Sequence, residues 1–334
     1  MAQKSRNMKA LIIGCGAIGG HLAYCLYENG FDVLIIAKKD SYQKIKKEGL
    51  RIQINKNKKI IKKAHLKIDN KFKIYKSLKD IKGLNLDFVF ITVKLKDYDS
   101  KLIKSILTLT NKNTAIIPPC TNVPYWWTNF FYKNNEKKIK KNYFRMENII
   151  GMTMWVSSVK KNPNQVIVKH IQRGYPLKPL NKKMSKKANK LRNALKYSCK
   201  SPKINNIYSE VFIKSLNALA FNMVALYYQQ NNESLKKNAK AIKMVEKIML
   251  EGEEIMKPLK ITHPQNYKER ISQTLSSSVH TMSMLNDYKK GKKIELKYLW
   301  KSFQEISSLS KISMPYTKKI YNELYKSLEY NENL

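Results

Sequence analysis

The pattern that most constrains this chain is Gly14-x-Gly16-x-x-Gly19, set between two stretches of different periodicity. Before it, Leu11-Ile12-Ile13 is a continuous apolar run, as expected of a parallel strand buried on both faces. After it, Ile18, Leu22 and Leu26 fall on one helical face, and Asn29-Gly30 stops the helix. Phe31 to Ala37 then forms a second apolar run, so the chain opens with a βαβ unit. Each glycine meets a separate demand. The first permits a tight strand-to-helix turn, the second lets a pyrophosphate approach the backbone, and the third lets helix and strand pack closely. The loop Gly14, Cys15, Gly16, Ala17, Ile18 and Gly19 therefore reads as a dinucleotide site.

The end of the second strand bears on which dinucleotide. An acidic residue there would accept hydrogen bonds from the ribose 2′-hydroxyl of NAD, but the strand ends in Lys38 and Lys39. A cation suits the 2′-phosphate of NADP, so NADPH is the expected cofactor and Lys38 its reader. Asp40 keeps NAD open as the alternative. Further along, Leu50–Ile54 and Phe72–Tyr75 read as short strands separated by a basic stretch. The run Asp87 to Lys94 reads as a buried strand whose carboxyl end places Thr92 and Lys94 beside the cofactor. Thr114 to Ile117 runs into Pro118-Pro119-Cys120-Thr121-Asn122, a rigid polar loop expected at the same end of the sheet, followed by Tyr125-Trp126-Trp127. Two more strands are expected at 149–157 and 165–170, linked by Lys160 to Asn164, and then a basic helix from about Met184 to Tyr197.

From about residue 209 the pattern becomes helical, over 209–228, 233–258, 265–288, 294–310 and 317–329. The fold class expected is an α/β Rossmann-type domain at 1–205 followed by an all-α domain at 206–334. A chain of 334 residues is long enough for both. No apolar run approaches a membrane span, and the polar N-terminus is not a signal peptide, which makes the cytoplasm the expected location. The formal charge of +41 suggests a polyanion partner. Yet arginine is scarce, lysine is spread along the whole chain, and no nucleic-acid-binding motif occurs, so no specific nucleic-acid function is expected. Such a field would also steer an anionic substrate and cofactor. Four cysteines without C-x-x-C pairing, and histidines (His21, His65, His170, His263, His280) isolated in the sequence, give no expectation of a metal.

On the first long helix of the second half, Lys214 stands among apolar residues (Phe212, Leu216, Leu219, Phe221). Asn217 lies roughly 60° to one side of it and Asn222 roughly 80° to the other, so the three line one polar arc. An ammonium on an apolar helix is costly to bury without a partner, which marks this arc as a candidate site.

From this helix onward the sequence resembles the ketopantoate reductase (2-dehydropantoate 2-reductase) family. Ile207 to Leu226, with its lysine and asparagines, is similar to the helix that opens the family's second domain. Ser283-Met-Leu-Asn-Asp to Gly291 and Glu295 is similar to its S-M-L-Q-D…G-R…E-I-D segment. The G-C-G-A-I-G loop, Lys38 and the T-V-K ending at Lys94 follow the family's order. The resemblance implies a 6-phosphogluconate-dehydrogenase-like fold and an NADPH-dependent reduction of ketopantoate to pantoate. Lys214 would be the catalytic proton donor, and Glu295 would hold the lysine and the reacting hydroxyl. Asn222 and Asn217 would bind the substrate's second hydroxyl and Ser283 its carboxylate. Family members are monomers or dimers, so a homodimer is possible.

Two departures touch the substrate. Where many members carry Asn-Gly after the fifth strand, this chain has Thr121-Asn122, so either Thr121 or Asn122 makes that contact with cofactor and substrate. Ala218 replaces the asparagine four residues after the lysine. A related reductase of another small 2-keto acid is the alternative, and a dinucleotide- or polyanion-binding protein without catalysis is a lesser one.

Overall fold

The computed structural model describes residues 6–56, 59–81, 83–119, 122–131, 144–276 and 281–329. The chain divides into two compact units, Met1–Cys120 with Ile139–Ile207, and Thr121–Lys138 with Tyr208–Leu334.

The first unit is built on β1 (Lys9–Ile13), α1 (Ala17–Tyr27), β2 (Asp32–Ile36), α2 (Lys39–Glu48), β3 (Leu50–Lys56), β4 (Lys59–Leu66), β5 (Phe72–Tyr75), β6 (Phe88–Ile91), α3 (Ser100–Leu107) and β7 (Ala115–Ile117). One parallel sheet has the order β5-β2-β1-β6-β7. Strand β1 pairs with β2 on one side (Ile13↔Ile36) and with β6 on the other (Ile13↔Ile91). The order therefore reverses at β1, and in open α/β sheets the crevice beyond that point is where ligands bind. Leu11, Ile12, Val33, Ile35, Phe88, Val89 and Phe90 are wholly buried, which is why these strands read as unbroken apolar runs.

After α4 (Tyr125–Phe131), which belongs to the other unit, come β8 (Ile150–Met152), β9 (Trp155–Asn162), β10 (Gln165–Gly174), β11 (Leu177–Pro179) and α5 (Ser185–Cys199). A second, mixed sheet has the order β4-β3-β10-β9, and β11 pairs with β8. Two expectations change here. The basic stretch after β3 is itself a strand, β4, whose Lys59 to Lys63 are exposed and so lack the alternation that marks a half-buried strand. The expected link from Lys160 to Asn164 is in part strand: β9 runs on through Lys160 and Lys161 to Asn162.

The second unit consists of α4 (Tyr125–Phe131), α6 (Ile207–Tyr228), α7 (Asn232–Lys236), α8 (Ala239–Met256), α9 (Tyr267–Leu275), α10 (Ser283–Tyr288), α11 (Leu296–Ser310) and α12 (Pro315–Glu329). Helix α6 is long and apolar enough to cross a membrane by length and composition alone. Here it is a core helix, with Phe212, Leu216, Leu219, Ala220, Met223, Val224 and Ala225 at zero exposure. The expected helix at 233–258 is two, α7 and α8, because Asn238 caps a new start by accepting the Ala241 N–H. Glu251 of α8 receives the Tyr316 and Thr317 amides at the start of α12, satisfying two donors that no helix can bond internally.

The two units part after Ile207, against an expected boundary at 205/206, and the described residues 122–131 group with the helical unit. Aromatic packing is the reason. Trp126 and Trp127 are wholly buried, Trp127 Nε1 donates to the Tyr208 carbonyl at 2.7 Å, and its ring lies 5.8 Å from Phe212 and 4.4 Å from Phe131. Burying two such rings contributes several kcal/mol at roughly 25 cal/mol per Å² of apolar surface.

Candidate active site

The glycine loop is held from both flanks of β1. Gly14 N–H donates to the Ile36 carbonyl of β2 at 3.0 Å. On the other side Thr92, just beyond β6, donates from its hydroxyl to the Gly14 carbonyl at 2.8 Å and to the Ile13 carbonyl at 3.1 Å. Gly14 turns at φ +107°, a conformation that L side chains rarely adopt. A Cβ on Gly19 would lie 2.0 Å from the Gly14 carbonyl oxygen and 2.6 Å from the Thr92 hydroxyl, so helix and strand approach to glycine distance. A Cβ on Gly16 would meet nothing within 4 Å: the middle of the loop is an open backbone surface. Gly16 is also the N-cap of α1 and has no side chain to bond the first-turn amides, whose partial positive charge favours an anion. Gly14, Gly16, Ala17 and Ile18 are partly exposed, while Cys15 and Gly19 are buried. Burial raises the Cys15 thiol pKa to about 11, which leaves it a neutral filler at physiological pH.

The expected 2′-phosphate reader stands differently. Lys38 is the N-cap of α2, its side chain is 85% exposed, and its ammonium pairs with Asp97 at 3.2 Å. Lys94 is half-buried three residues beyond β6 and heads the short turn Leu95–Asp97. Sequence reasoning missed Lys160. From β9 its ammonium donates to the Cys15 carbonyl inside the glycine loop at 2.7 Å and to Ser41 Oγ in the first turn of α2 at 2.5 Å.

In the helical unit, Lys214, Asn217 and Asn222 lie on α6 as expected. Lys214 is half-buried, and desolvation lowers its ammonium pKa to about 8. Asn222 is buried. Its amide nitrogen donates to the Ala218 carbonyl at 2.7 Å, and its oxygen accepts the Met284 N–H at 3.1 Å. That bond ties α6 to the first turn of α10, which exposed Ser283 begins. Asn217 is buried toward Arg270, whose Nη1 donates to its side-chain oxygen at 3.5 Å while Nη2 pairs with Glu253. Glu295 is half-buried at the N-cap of α11. Two turns further along that helix, Ser302 Oγ accepts the Asn122 amide at 3.0 Å. Thr121 lies outside the described residues.

The fold brings His21, expected apart from the other histidines and from carboxylate pairs, beside two cysteines. Its ring and the thiols of Cys25 and Cys199 have ligand-type atoms within 4.8 Å of one another, all buried. His280 lies outside the described residues. His21 Nδ1 shares a hydrogen bond with the Tyr175 hydroxyl at 2.8 Å, and burial lowers the imidazole pKa to about 4. Burial also raises the Cys25 thiol pKa.

Two family models cover most of the chain: Ketopantoate reductase PanE/ApbA over residues 10–175, and Ketopantoate reductase PanE/ApbA C terminal over residues 206–327. The chain belongs to this family. Its members are NAD(P)-dependent oxidoreductases. A search of the curated proteins by sequence finds no match. Among solved structures, 2-dehydropantoate 2-reductase from Geobacter metallireducens GS-15 is 18% identical with a TM-score of 0.79, covering 96% of this chain and 100% of that one. The Methylococcus capsulatus 2-dehydropantoate 2-reductase is 16% identical with a TM-score of 0.74, covering 97% of each chain. D-mandelate dehydrogenase with NADH and anilino(oxo)acetate is 23% identical with a TM-score of 0.75, covering 96% of this chain and 97% of that one. At these identities the likeness speaks for the fold alone.

Proposed function

We propose that this chain reduces 2-dehydropantoate to pantoate with NADPH, in the cytoplasm, on the route to coenzyme A. The observation that carries this reading is Lys214, an ammonium on a core helix whose pKa is brought down to about 8. A group with a pKa near the working pH is charged enough to stabilise an oxyanion and acidic enough to give up its proton.

The residues of the first unit fit a dinucleotide, because the Gly16 backbone is open where a Cβ would meet nothing and the Gly14–Gly19 approach is of glycine width. Gly14 to Gly19 would hold the pyrophosphate, with Lys94 beside the cofactor. A bound nicotinamide supplies hydride to the carbonyl carbon of the substrate. As the carbonyl π pair moves onto oxygen, Lys214 stabilises that charge and transfers a proton from Nζ, which completes the hydroxyl. Glu295 keeps Lys214 and the hydroxyl oriented. Asn222 fixes α10 through Met284 and so sets where Ser283 meets the substrate carboxylate.

A second reading keeps the chemistry and changes the keto acid. It is favoured by Ala218 in place of the family's asparagine and by Asn122, whose amide is held by Ser302 of α11. D-mandelate dehydrogenase, of the same fold, is a relative with a different substrate. Steady-state assays with a panel of 2-keto acids, each with NADPH and NADH, test both readings. The first expects the highest kcat/KM for 2-dehydropantoate with NADPH. Turnover of other keto acids alone would select the second, and no turnover of any would remove the reductase reading.

A further inference from the structure

The group that discriminates the two dinucleotides is expected between the glycine loop and the element that follows β2, because the ribose 2′ position lies there. Lys38 stands at that place but is 85% exposed and already neutralised by Asp97 at 3.2 Å. An exposed pair of this kind contributes little, since water screens it and two long side chains must be held still. Lys160 reaches the same gap from β9. Its part-buried ammonium bridges the Cys15 carbonyl at 2.7 Å and Ser41 Oγ at 2.5 Å, and so joins the loop after β1 to the helix after β2. Because Ser41 accepts from Lys160, its own hydroxyl hydrogen is left to donate. Ser41 lies in the first turn of α2, where the helix dipole favours anions, beside Asp40 of the same turn.

We infer that Lys160 and Ser41, rather than Lys38, form the subsite that recognises the 2′-phosphate of NADPH. This rests on the dinucleotide-dependent reductase reading. The ammonium supplies a charge that meets a phosphate dianion in a less screened setting than an exposed lysine offers, and Ser41 adds an O–H donor to a phosphate oxygen. The geometry also explains why no acidic residue is needed at the end of β2. A phosphate would be read by a residue that arrives from the second sheet, far along the chain from the glycine motif.

The test is binding without turnover. Isothermal titration of NADPH, NADH and 2′,5′-ADP is compared for the wild type, Lys160→Met, Lys160→Arg, Ser41→Ala and the exposed neighbour Lys161→Met. The expected result is a wild type that prefers NADPH at least tenfold. Lys160→Met should lower the NADPH/NADH preference by about 10- to 100-fold, the range for a hydrogen bond to a charged group, with NADH affinity within threefold. Ser41→Ala should lower the preference less, Lys160→Arg should retain most of it, and Lys161→Met, which removes the same charge from the surface, should leave it alone.

Equal weakening of both cofactors by Lys160→Met would overturn the inference and make Lys160 only a clamp on the loop. An unchanged preference in Lys160→Met, or an equal loss in Lys161→Met, would overturn it too. In each of those cases keto-acid-dependent oxidation of either cofactor by the wild type leaves the reductase reading standing. Failure of the wild type to bind any dinucleotide overturns both.

Discussion

Asn222 Oδ1 accepts the backbone N–H of Met284 at 3.1 Å, so one amide on the core helix α6 fixes the start of the short helix that carries Ser283. A helix has no internal partner for its first amides, and α10 has no side-chain cap of its own. Asn222→Ala would leave that buried N–H unpaired at a cost of about 1–3 kcal/mol. The expected outcome is a lower denaturation midpoint together with a raised KM for the keto acid, because Ser283 loses its registration. Asn222→Asp keeps the oxygen that accepts Met284 N–H but turns an oxygen toward the Ala218 carbonyl now bonded at 2.7 Å, so it should recover only part of the stability, as urea unfolding would show.

The glycine loop separates binding from folding. Gly16→Ala adds a methyl where nothing lies within 4 Å, so it should leave thermal stability unchanged and weaken dinucleotide binding at least tenfold by blocking approach to the backbone. Gly19→Ala drives a Cβ to 2.0 Å from the Gly14 carbonyl, and should lose both binding and about 1–3 kcal/mol of stability. Calorimetric titration and melting curves on the same preparations check the pair.

His21 makes folding pH-dependent. Its pKa falls from 6.5 when unfolded to about 4 when folded, because burial disfavours the imidazolium. The unfolded chain therefore binds more protons between those values, and stability falls as the pH drops from 6.5 toward 4. The full difference is about 3 kcal/mol, since each tenfold change in proton affinity is worth roughly 1.4 kcal/mol. His21→Leu should flatten that acid limb, and denaturant titrations at several pH values would reveal it. An acid limb as steep in the variant as in the wild type would show that other groups control it.

Much of this architecture was legible because burial on both faces leaves a strong mark. Leu11 to Ile13, Val33 to Ile36 and Phe88 to Ile91 are apolar runs for that reason, and α6 is apolar around most of its circumference because it is a core helix. The three glycines carried geometry that any parallel strand-to-helix turn needs at a phosphate. What escaped is what depends on a single tertiary contact. Lys160 sits in Lys160-Lys161-Asn162-Pro163-Asn164, which has turn composition, yet β9 extends into it as far as Asn162 and pairs with β10 at Lys160↔Val166. The register of that pair, absent from any local pattern, aims the ammonium at Cys15. The loop before Tyr125-Trp126-Trp127 reads as part of the sheet end, yet Trp127 packs on Phe212 within the helical unit. Cys199 joins His21 and Cys25 only through the docking of α5 against α1, which no spacing in the sequence encodes.

In the proposed reaction Lys214 gives the proton that completes keto-acid reduction, and its pH–rate profile tests that role most directly. With its ammonium pKa near 8, kcat/KM for 2-dehydropantoate with NADPH should hold below that value and fall tenfold per pH unit above it, since only the protonated lysine can donate. Lys214→Met should lower kcat by about 10²- to 10⁴-fold and abolish that limb, with NADPH affinity retained. A Lys214→Met variant with wild-type kcat and the same fall near pH 8 would contradict the role given to this lysine.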